Sequence, residues 1–496
     1  MAKGLSLISC LKNIPLLLLF GVPVFALIAF SGAPFFWVQE AYDGWRIFQI
    51  FLLIIFGIYA VFIRNQPSIL PHDTSRTFTI ALPILFGMIV LSVWQSEHSA
   101  RAAADAALYA LLAISIWAQA DLFTKNPSLA PHIGAWLAVL PLFAVFSLLT
   151  GISQAIDGNI TYDWHKPFAN IRMLNDALLP CLFLLWQRPA WLATNYFKNT
   201  LLDKGITSAI YLTSTAYILI LWYDGARAAL LSILVGLGFI ALFRRDYWSK
   251  LRLALGTILS SWLLFFALQY LVPEFFANTV LRTDSSGRIE LWLKTVQLWQ
   301  ENPILGVGGN NFVTSNPWAL NGHPHNIPLQ WISEWGVAGL IALLLLIPFA
   351  TQLFRHRQIL PVFVLGAAVA VGLDATLSGV LVYPLSQMLG LWLFAWLIAL
   401  LPTDQPKSSV SAQRHQLVHT SPKASFMSFH PILKVITVIA IMTILTVHGR
   451  DMICTNCMST DNNNAPRFWQ YGRALHLVPI GSEAINLAPD ALLKNR

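Results

Sequence analysis

Residues 323–350 read "HPHNIPLQWISEWGVAGLIALLLLIPFA". The second half, from Val337, carries no charged side chain and continues as an apolar run to about residue 354. A bilayer core takes about 20 such residues per helix. The first half packs two histidines, an asparagine, a glutamine and a glutamate into a dozen positions. A polar box that opens directly onto a membrane-length helix sets the fold class. The whole chain agrees. Its 496 residues are 56% hydrophobic and 11% charged, against about 25% charged in soluble proteins. The sequence predicts an all-α polytopic membrane protein.

Apolar runs of spanning length recur at 14–31, 46–63, 77–95, 104–121, 133–152, 173–187, 206–222, 227–243, 252–271, 337–354, 358–379, 383–401 and 431–448, giving about 13 transmembrane helices. With the N-terminus cytoplasmic, most Lys and Arg fall on the cytoplasmic side, while the outer loops before residue 272 hold only Arg46, Arg101, Lys166, Arg172 and Arg227. The positive-inside bias therefore fixes the orientation. It places a long loop, 272–336, and a tail, 449–496, outside. Residues 1–130 form N-terminal transmembrane helices and 131–402 a second membrane region that includes the long loop. Residues 403–430, rich in Ser, Gln and Lys, read as a cytoplasmic linker before the last span, 431–448.

The formal net charge of +8 is accounted for by loop anchoring, and no basic patch with interleaved aromatics points to nucleic acid. Cys454 and Cys457 form "CTNC". In an external tail a local disulfide between them is expected; a thioredoxin-like site would need a surrounding βαβ pattern that the sequence lacks.

The outer face collects the unusual chemistry. Arg172, Arg227, Arg282 and Arg288 all lie there. Arginine near a span usually lines a cavity and meets an anion, and its fork matches phosphate oxygens. The competing reading pairs Arg227 with Asp224 and Arg288 with Glu290. The loop predicts a helix from about Ser286, with Ile289, Trp292, Val296 and Trp299 on one apolar face at the membrane surface, ended by Asn302-Pro303. "GVGGNNF" (306–312) lacks the Gly-Lys-Ser/Thr ending of a phosphate loop and reads as a turn through which backbone approaches a partner closely. His325 is the candidate general base, with His323, Asn326, Gln330 and Glu334 in support. Gln330 and Glu334 share one face of a helix entering the membrane, and Pro324 and Pro328 fix its approach. A zinc pair of His323 and His325 would lack a third ligand in the sequence, so no metal is expected.

These motifs together resemble the bacterial O-antigen ligase superfamily, which takes in O-antigen ligases, O-antigen polymerases and bacterial protein O-oligosaccharyltransferases. The ligase signature is His-Asn/Ser/Gln, nine residues, then spaced glycines. Here His325-Asn326 is followed after nine residues by Gly336, and two residues later by Gly339. A third glycine would stand at Ala342, a packing position read as tolerant. "FANIRMLND" (168–176), "DGARAALLS" (224–232), "GRIELWLKTVQLWQENPILGVGGNNF" (287–312) and "LVYPLSQMLGLWLF" (381–394) are similar to further segments of the family. The likeness runs over roughly 130–400.

The resemblance implies a GT-C-like glycosyltransferase with no cofactor and no essential metal. It would take a glycan from an undecaprenyl-diphosphate donor at the periplasmic face of the bacterial inner membrane. By that likeness His325 activates the acceptor, and Arg172, Arg227, Arg288 and Arg282 handle the diphosphate. The acceptor stays open: lipid A core for a ligase, an exported protein such as a pilin for an O-oligosaccharyltransferase, another lipid-linked repeat for a polymerase. Lipopolysaccharide ligation is the first reading. The non-enzyme alternative is a polysaccharide flippase or transporter. Such proteins often show inverted repeats and charge at the midplane; here no repeat is visible and no charged pair is expected deep in the first five spans.

Overall fold

A computed structural model describes residues 41–62, 72–156, 171–188, 200–271, 287–313, 322–402, 430–453 and 468–469. The expected first span 14–31, Lys166, Arg282, Cys454, Cys457 and most of the 403–430 linker lie outside the described residues. So does all of the tail beyond Ile453 except residues 468–469.

The described residues are helical throughout, with no strand among them. In chain order the helices are α1 (Ala41–Phe62), α2 (His72–Gln95), α3 (Ser99–Lys125), α4 (Leu129–Leu137), α5 (Leu142–Ile156), α6 (Ile171–Gln187), α7 (Thr200–Tyr223) and α8 (Arg227–Phe243). A short 3-10 turn, Arg245–Tyr247, leads into α9 (Trp248–Leu271). Then come α10 (Arg288–Glu301), α11 (Ile327–Trp335), α12 (Val337–Arg355), α13 (Val362–Asp374), α14 (Pro384–Ala399) and α15 (His430–Ile453). Seven stretches are long and apolar enough to cross a membrane, with α4 and α5 counted as one, and four shorter apolar helices accompany them. In hydrocarbon a helix is one of the few ways to satisfy every backbone polar group within the segment. Leu212, Leu242, Tyr270, Ile347 and Met442 are exposed on the flanks, as lipid-facing positions should be.

Three packed groups build the bundle. α3 sits among α1, α14 and α15; α13 lies between α6 and α8; α7 pairs with α9. Close approach of α8 and α13 depends on Gly236, where a Cβ would stand 2.7 Å from the Gly366 carbonyl oxygen.

One end of the bundle gathers cations and ties them to backbone. Arg244 donates to the carbonyls of Arg357 and Leu360, each at 3.1 Å, and Lys250 donates to Gln187 O at 2.8 Å. Arg188 pairs with Asp203 there. The opposite end brings together the starts of α6, α8, α10 and α11 and the end of α13.

Four expectations need correcting. The span 133–152 is two helices, because Pro141 cannot continue the helical hydrogen bonding and disfavours a helical residue before it; α4 ends at Leu137 and α5 begins at Leu142. The span 358–379 stops at Asp374. Residues 375–383 instead form a turn-rich segment whose backbone bonds run at short range, from Ser378 N to Asp374 O and from Val382 N to Gly379 O. Arg46 and Arg101 are buried helix residues rather than loop anchors, 1% and 3% exposed. Buried charge is present in the early helices too: Asp43, Asp105 and Asp121 are fully or nearly buried. These groups sit near helix ends, and Asp121 is held by Tyr59 and Lys125 at 2.7 and 2.9 Å.

Candidate active site

Helix α10 begins at Arg288 after Gly287, which adopts φ +72°, a conformation open to glycine without strain. The predicted helix therefore exists and ends at Asn302, but a different face is buried. Leu291, Thr295 and Leu298 face inward, where Leu291 and Leu298 cluster with Phe312. The expected stripe is half outside: Ile289 is exposed, and the Trp292 indole turns inward to donate to Pro324 O at 2.9 Å. Trp292 thus holds the loop that carries the two histidines.

The glycine turn after α10 packs its backbone on the end of α11. Val307 N donates to Ser333 O and Gly308 N to Glu334 O, while Val337 N returns a bond to Ile304 O. A Cβ on Gly306 would stand 2.4 Å from the Glu334 carbonyl, and one on Gly309 would stand 2.0 Å from the Trp335 ring. The partner that "GVGGNNF" approaches is the protein's own chain.

Helix α11 does not run on into the membrane. Gly336, with φ +56°, breaks it from α12. The signature glycines are explained here: a Cβ on Gly336 would meet Ile304 O at 2.4 Å, and one on Gly339 would meet Trp331 O at 2.1 Å. Ala342 is only partly buried, so a glycine is not needed there.

Asn326 caps α11 by accepting from Leu329 N at 2.9 Å, and Pro328 sits in the first turn. This places His325 one residue before the cap, at φ +53°, a strained region for a residue with a side chain. Ile327 N is tied to Ala375 O at 2.9 Å. The His325 and His323 rings lie 4.1 Å apart between centroids, and His323 meets the Tyr383 ring edge-on at 5.8 Å. His325 is 8% exposed, and its Nδ1 is buried with no hydrogen-bond partner among the described residues. Burial first, then the charges of Arg288 and Arg172, press its proton affinity down to a pKa of about 3. The imidazole is neutral at physiological pH. Gln330 and Glu334 are fully buried one turn apart, and the Gln330 amide donates to Tyr109 OH at 3.3 Å and to Glu334 Oε2 at 3.4 Å.

Three of the four predicted arginines meet. An open cleft of about 480 Å³ is lined by Arg172, Arg227 and Arg288, with Asn175, Asp176, Asp224 and Ser378. Each arginine stands in the first turn of its helix, α6, α8 or α10. Side chain and helix dipole thus present positive charge to the same space. The pairing with Glu290 does not form: Glu290 bonds Lys294 at 2.9 Å, and the Arg288 guanidinium donates instead to Leu377 O. Asp224 accepts from Asn175 at 2.7 Å. Burial and the nearby Arg172 charge both oppose the Arg288 cation, while Asp374 and Asp176 support it. A crowded cation of this kind gains from a bound anion.

Several residues of this floor escaped the sequence reading. Ser378 donates to Asp176 at 3.3 Å, and the Asp374 carboxyl lies against Asp176. Tyr383 backs His323. A lone acid within an apolar run was the available signal for Asp374.

Residues 212–344 match the family model described as O-antigen ligase. The match begins in α7, ends in α12, and contains Arg227, Arg288 and His325. It supports membership of the O-antigen ligase superfamily, and with it a membrane glycosyltransferase of the broad ligase and polymerase type. No curated protein matches the sequence.

Proposed function

We propose that this protein moves a glycan from an undecaprenyl-diphosphate carrier to an acceptor hydroxyl at the periplasmic face, as an O-antigen ligase acting on lipid A core. The observation that carries the reading is the convergence of Arg172, Arg227 and Arg288 on one cleft, with the imidazole of His325 close enough to feel two of their charges. The strongly cationic opposite end of the bundle supports a cytoplasmic position for that end.

The chemistry follows from the residues. The donor's diphosphate binds in the arginine cleft. His325 Nδ1 takes the proton of the acceptor hydroxyl as its oxygen attacks the anomeric carbon. The new C–O bond forms while the bond from that carbon to the phosphate oxygen breaks, and the electron pair leaves with the diphosphate. The arginines stabilise that charge where it develops. The proton then passes from His325 to the departing phosphate or to water. One displacement inverts the anomeric configuration. Transfer to lipid A core rather than to a protein or a second repeat is part of this proposal.

A lipopolysaccharide gel tests it. A deletion strain should lose the O-antigen ladder and accumulate lipid-linked glycan. Wild type should restore the ladder, and His325→Ala at equal protein level should not. A single-repeat band would point to a polymerase. An unchanged ladder in all strains would refute the ligase reading and turn attention to glycosylated exported protein. Full function in His325→Ala would favour a transporter.

A further inference from the structure

Beyond the arginine cleft, the same end of the bundle holds a second buried polar cluster built around Arg46. Its guanidinium donates to Tyr42 OH at 3.0 Å, Gln49 Oε1 at 2.6 Å, Gln387 Oε1 at 3.0 Å, Val382 O at 3.1 Å and Phe468 O at 3.1 Å. These acceptors are all uncharged and come from α1, α14, the 375–383 segment and the tail. Phe468 and Trp469 are 2% and 1% exposed. The Phe468 ring stacks on His448 at 3.9 Å, 18° from parallel, and lies 5.3 Å from the Arg46 guanidinium carbon. The Trp469 indole donates to His448 Nδ1 at 3.2 Å. These two residues belong to "RFWQYGRALHLVP", a tail stretch that catalysis as described leaves without a role.

The cluster is three contacts from the candidate base. Arg46 holds the carbonyl of Val382, and the next residue, Tyr383, lies against His323, whose ring centroid is 4.1 Å from that of His325 with the two planes tilted by 56°. Tyr42, another Arg46 partner, meets the Tyr383 ring edge-on at 6.4 Å. Among the described residues, nothing hydrogen-bonds His325 Nδ1 to fix its ring. Its orientation rests on packing that leads back to Arg46 and the tail.

We propose that Phe468 and Trp469 form a clamp borne by the C-terminal tail, and that Arg46 is a positioning residue that transmits the clamp to the His323–His325 pair. The tail is then a working part of the transferase. Removing the Phe468 and Trp469 side chains leaves the Arg46 fork loosened against Val382, and Tyr383 and His323 lose their backing. Small displacements of a base from its reacting atom cost about 10- to 100-fold in rate. The arginines of the diphosphate cleft stand on α6, α8 and α10, none of which carries an Arg46 partner, so donor binding is spared.

The inference rests on the proposed glycosyl transfer, so the test carries its own controls. Full-length protein is assayed in bilayer discs with undecaprenyl-diphosphate-linked glycan and lipid A core. Wild type, His325→Ala, the Phe468→Ala/Trp469→Ala double variant, Phe468→Trp and Arg46→Lys are compared per mole of donor-binding protein. The double variant should lose about 10- to 100-fold in kcat with donor KM unchanged. Phe468→Trp, which restores a stacking ring, should recover most of it, and Arg46→Lys should fall between. A double variant that is less stable yet turns over at the wild-type kcat would make the dipeptide a structural plug and overturn the proposal. A fall confined to donor KM would overturn it too. If wild type transfers nothing, or His325→Ala transfers normally, the functional reading itself fails and the clamp fails with it.

Discussion

Replacing Arg288 by Gln should produce two effects of opposite sign from one charge. Arg288 opens α10, lines the cleft with Arg172 and Arg227, and is the second largest cause, after burial, of the depressed proton affinity of His325. A hydrogen bond to a charged group contributes about 1.5–3 kcal/mol. At about 1.36 kcal/mol per factor of ten, losing it in the transition state lowers kcat/KM by about 10- to 150-fold. The same change makes His325 a stronger base. Its pKa of about 3 lies roughly 3.5 units below the ordinary histidine value, a bias of about 5 kcal/mol against the imidazolium. The Arg288→Gln change lifts part of that bias, and burial and the Arg172 charge keep the rest. Donor-limited transfer measured from pH 4 to 8 reads both effects. The wild-type kcat/KM should show no acid limb from His325 down to about pH 4, because the free imidazole stays neutral. The variant should be slower at pH 7 and show an acid limb displaced to higher pH. Identical acid limbs would show that Arg288 does not act on His325. A loss confined to acceptor KM would show that it does not hold the donor.

Three further changes test separate parts of the site. An unfolded chain takes up a proton at His325 as pH falls through about 6.5, whereas the folded chain does not until about 3, so folded stability declines across that window; His325→Gln should remove about 2 kcal/mol of the decline between pH 7 and 5, read from paired thermal melts. Gly339→Ala places a Cβ 2.1 Å from Trp331 O, against backbone that cannot step aside; it should cost about 3 kcal/mol, while Ala342→Gly should cost about 1 kcal/mol, and equal melting shifts would refute the packing account. Trp292→Phe keeps a ring but drops the bond to Pro324 O, a loss of about 1 kcal/mol; kcat should fall severalfold with donor KM unchanged, and an unaltered kcat would show that Trp292 does not steady the histidine loop.

Helix identity was legible because the membrane enforces it, and the arginines were legible for a related reason. A charged group beside an apolar run is expensive unless something meets it, so Arg172, Arg227 and Arg288 each declared a site before their convergence could be seen. The segment 375–383 was not legible. Its residues, "ATLSGVLVY", are apolar enough to pass as membrane helix, and what unwinds them is tertiary: their carbonyls bond Ile327 N, Arg288 and Arg46. Arg46 was misplaced because hydropathy assigns charges at the edge of a run to the loop, whereas its aliphatic stem and five acceptors let it stay inside.

The acids at the cleft floor obey the same rule at longer range. Asp176 and Asp374 are about two hundred positions apart in the chain and touch because α6 packs on α13. Neither position alone signals the other. Yet each sits in an apolar run where a solitary carboxyl would be costly, and the cost is reason to expect a partner. Together they lie beneath Arg288 and support its charge, against burial and the neighbouring Arg172. A cleft built for an anion must keep its cations from repelling one another when the anion has left. Asp176 and Asp374 do part of this from the cleft floor, where Asp176 lines the same space as the arginines.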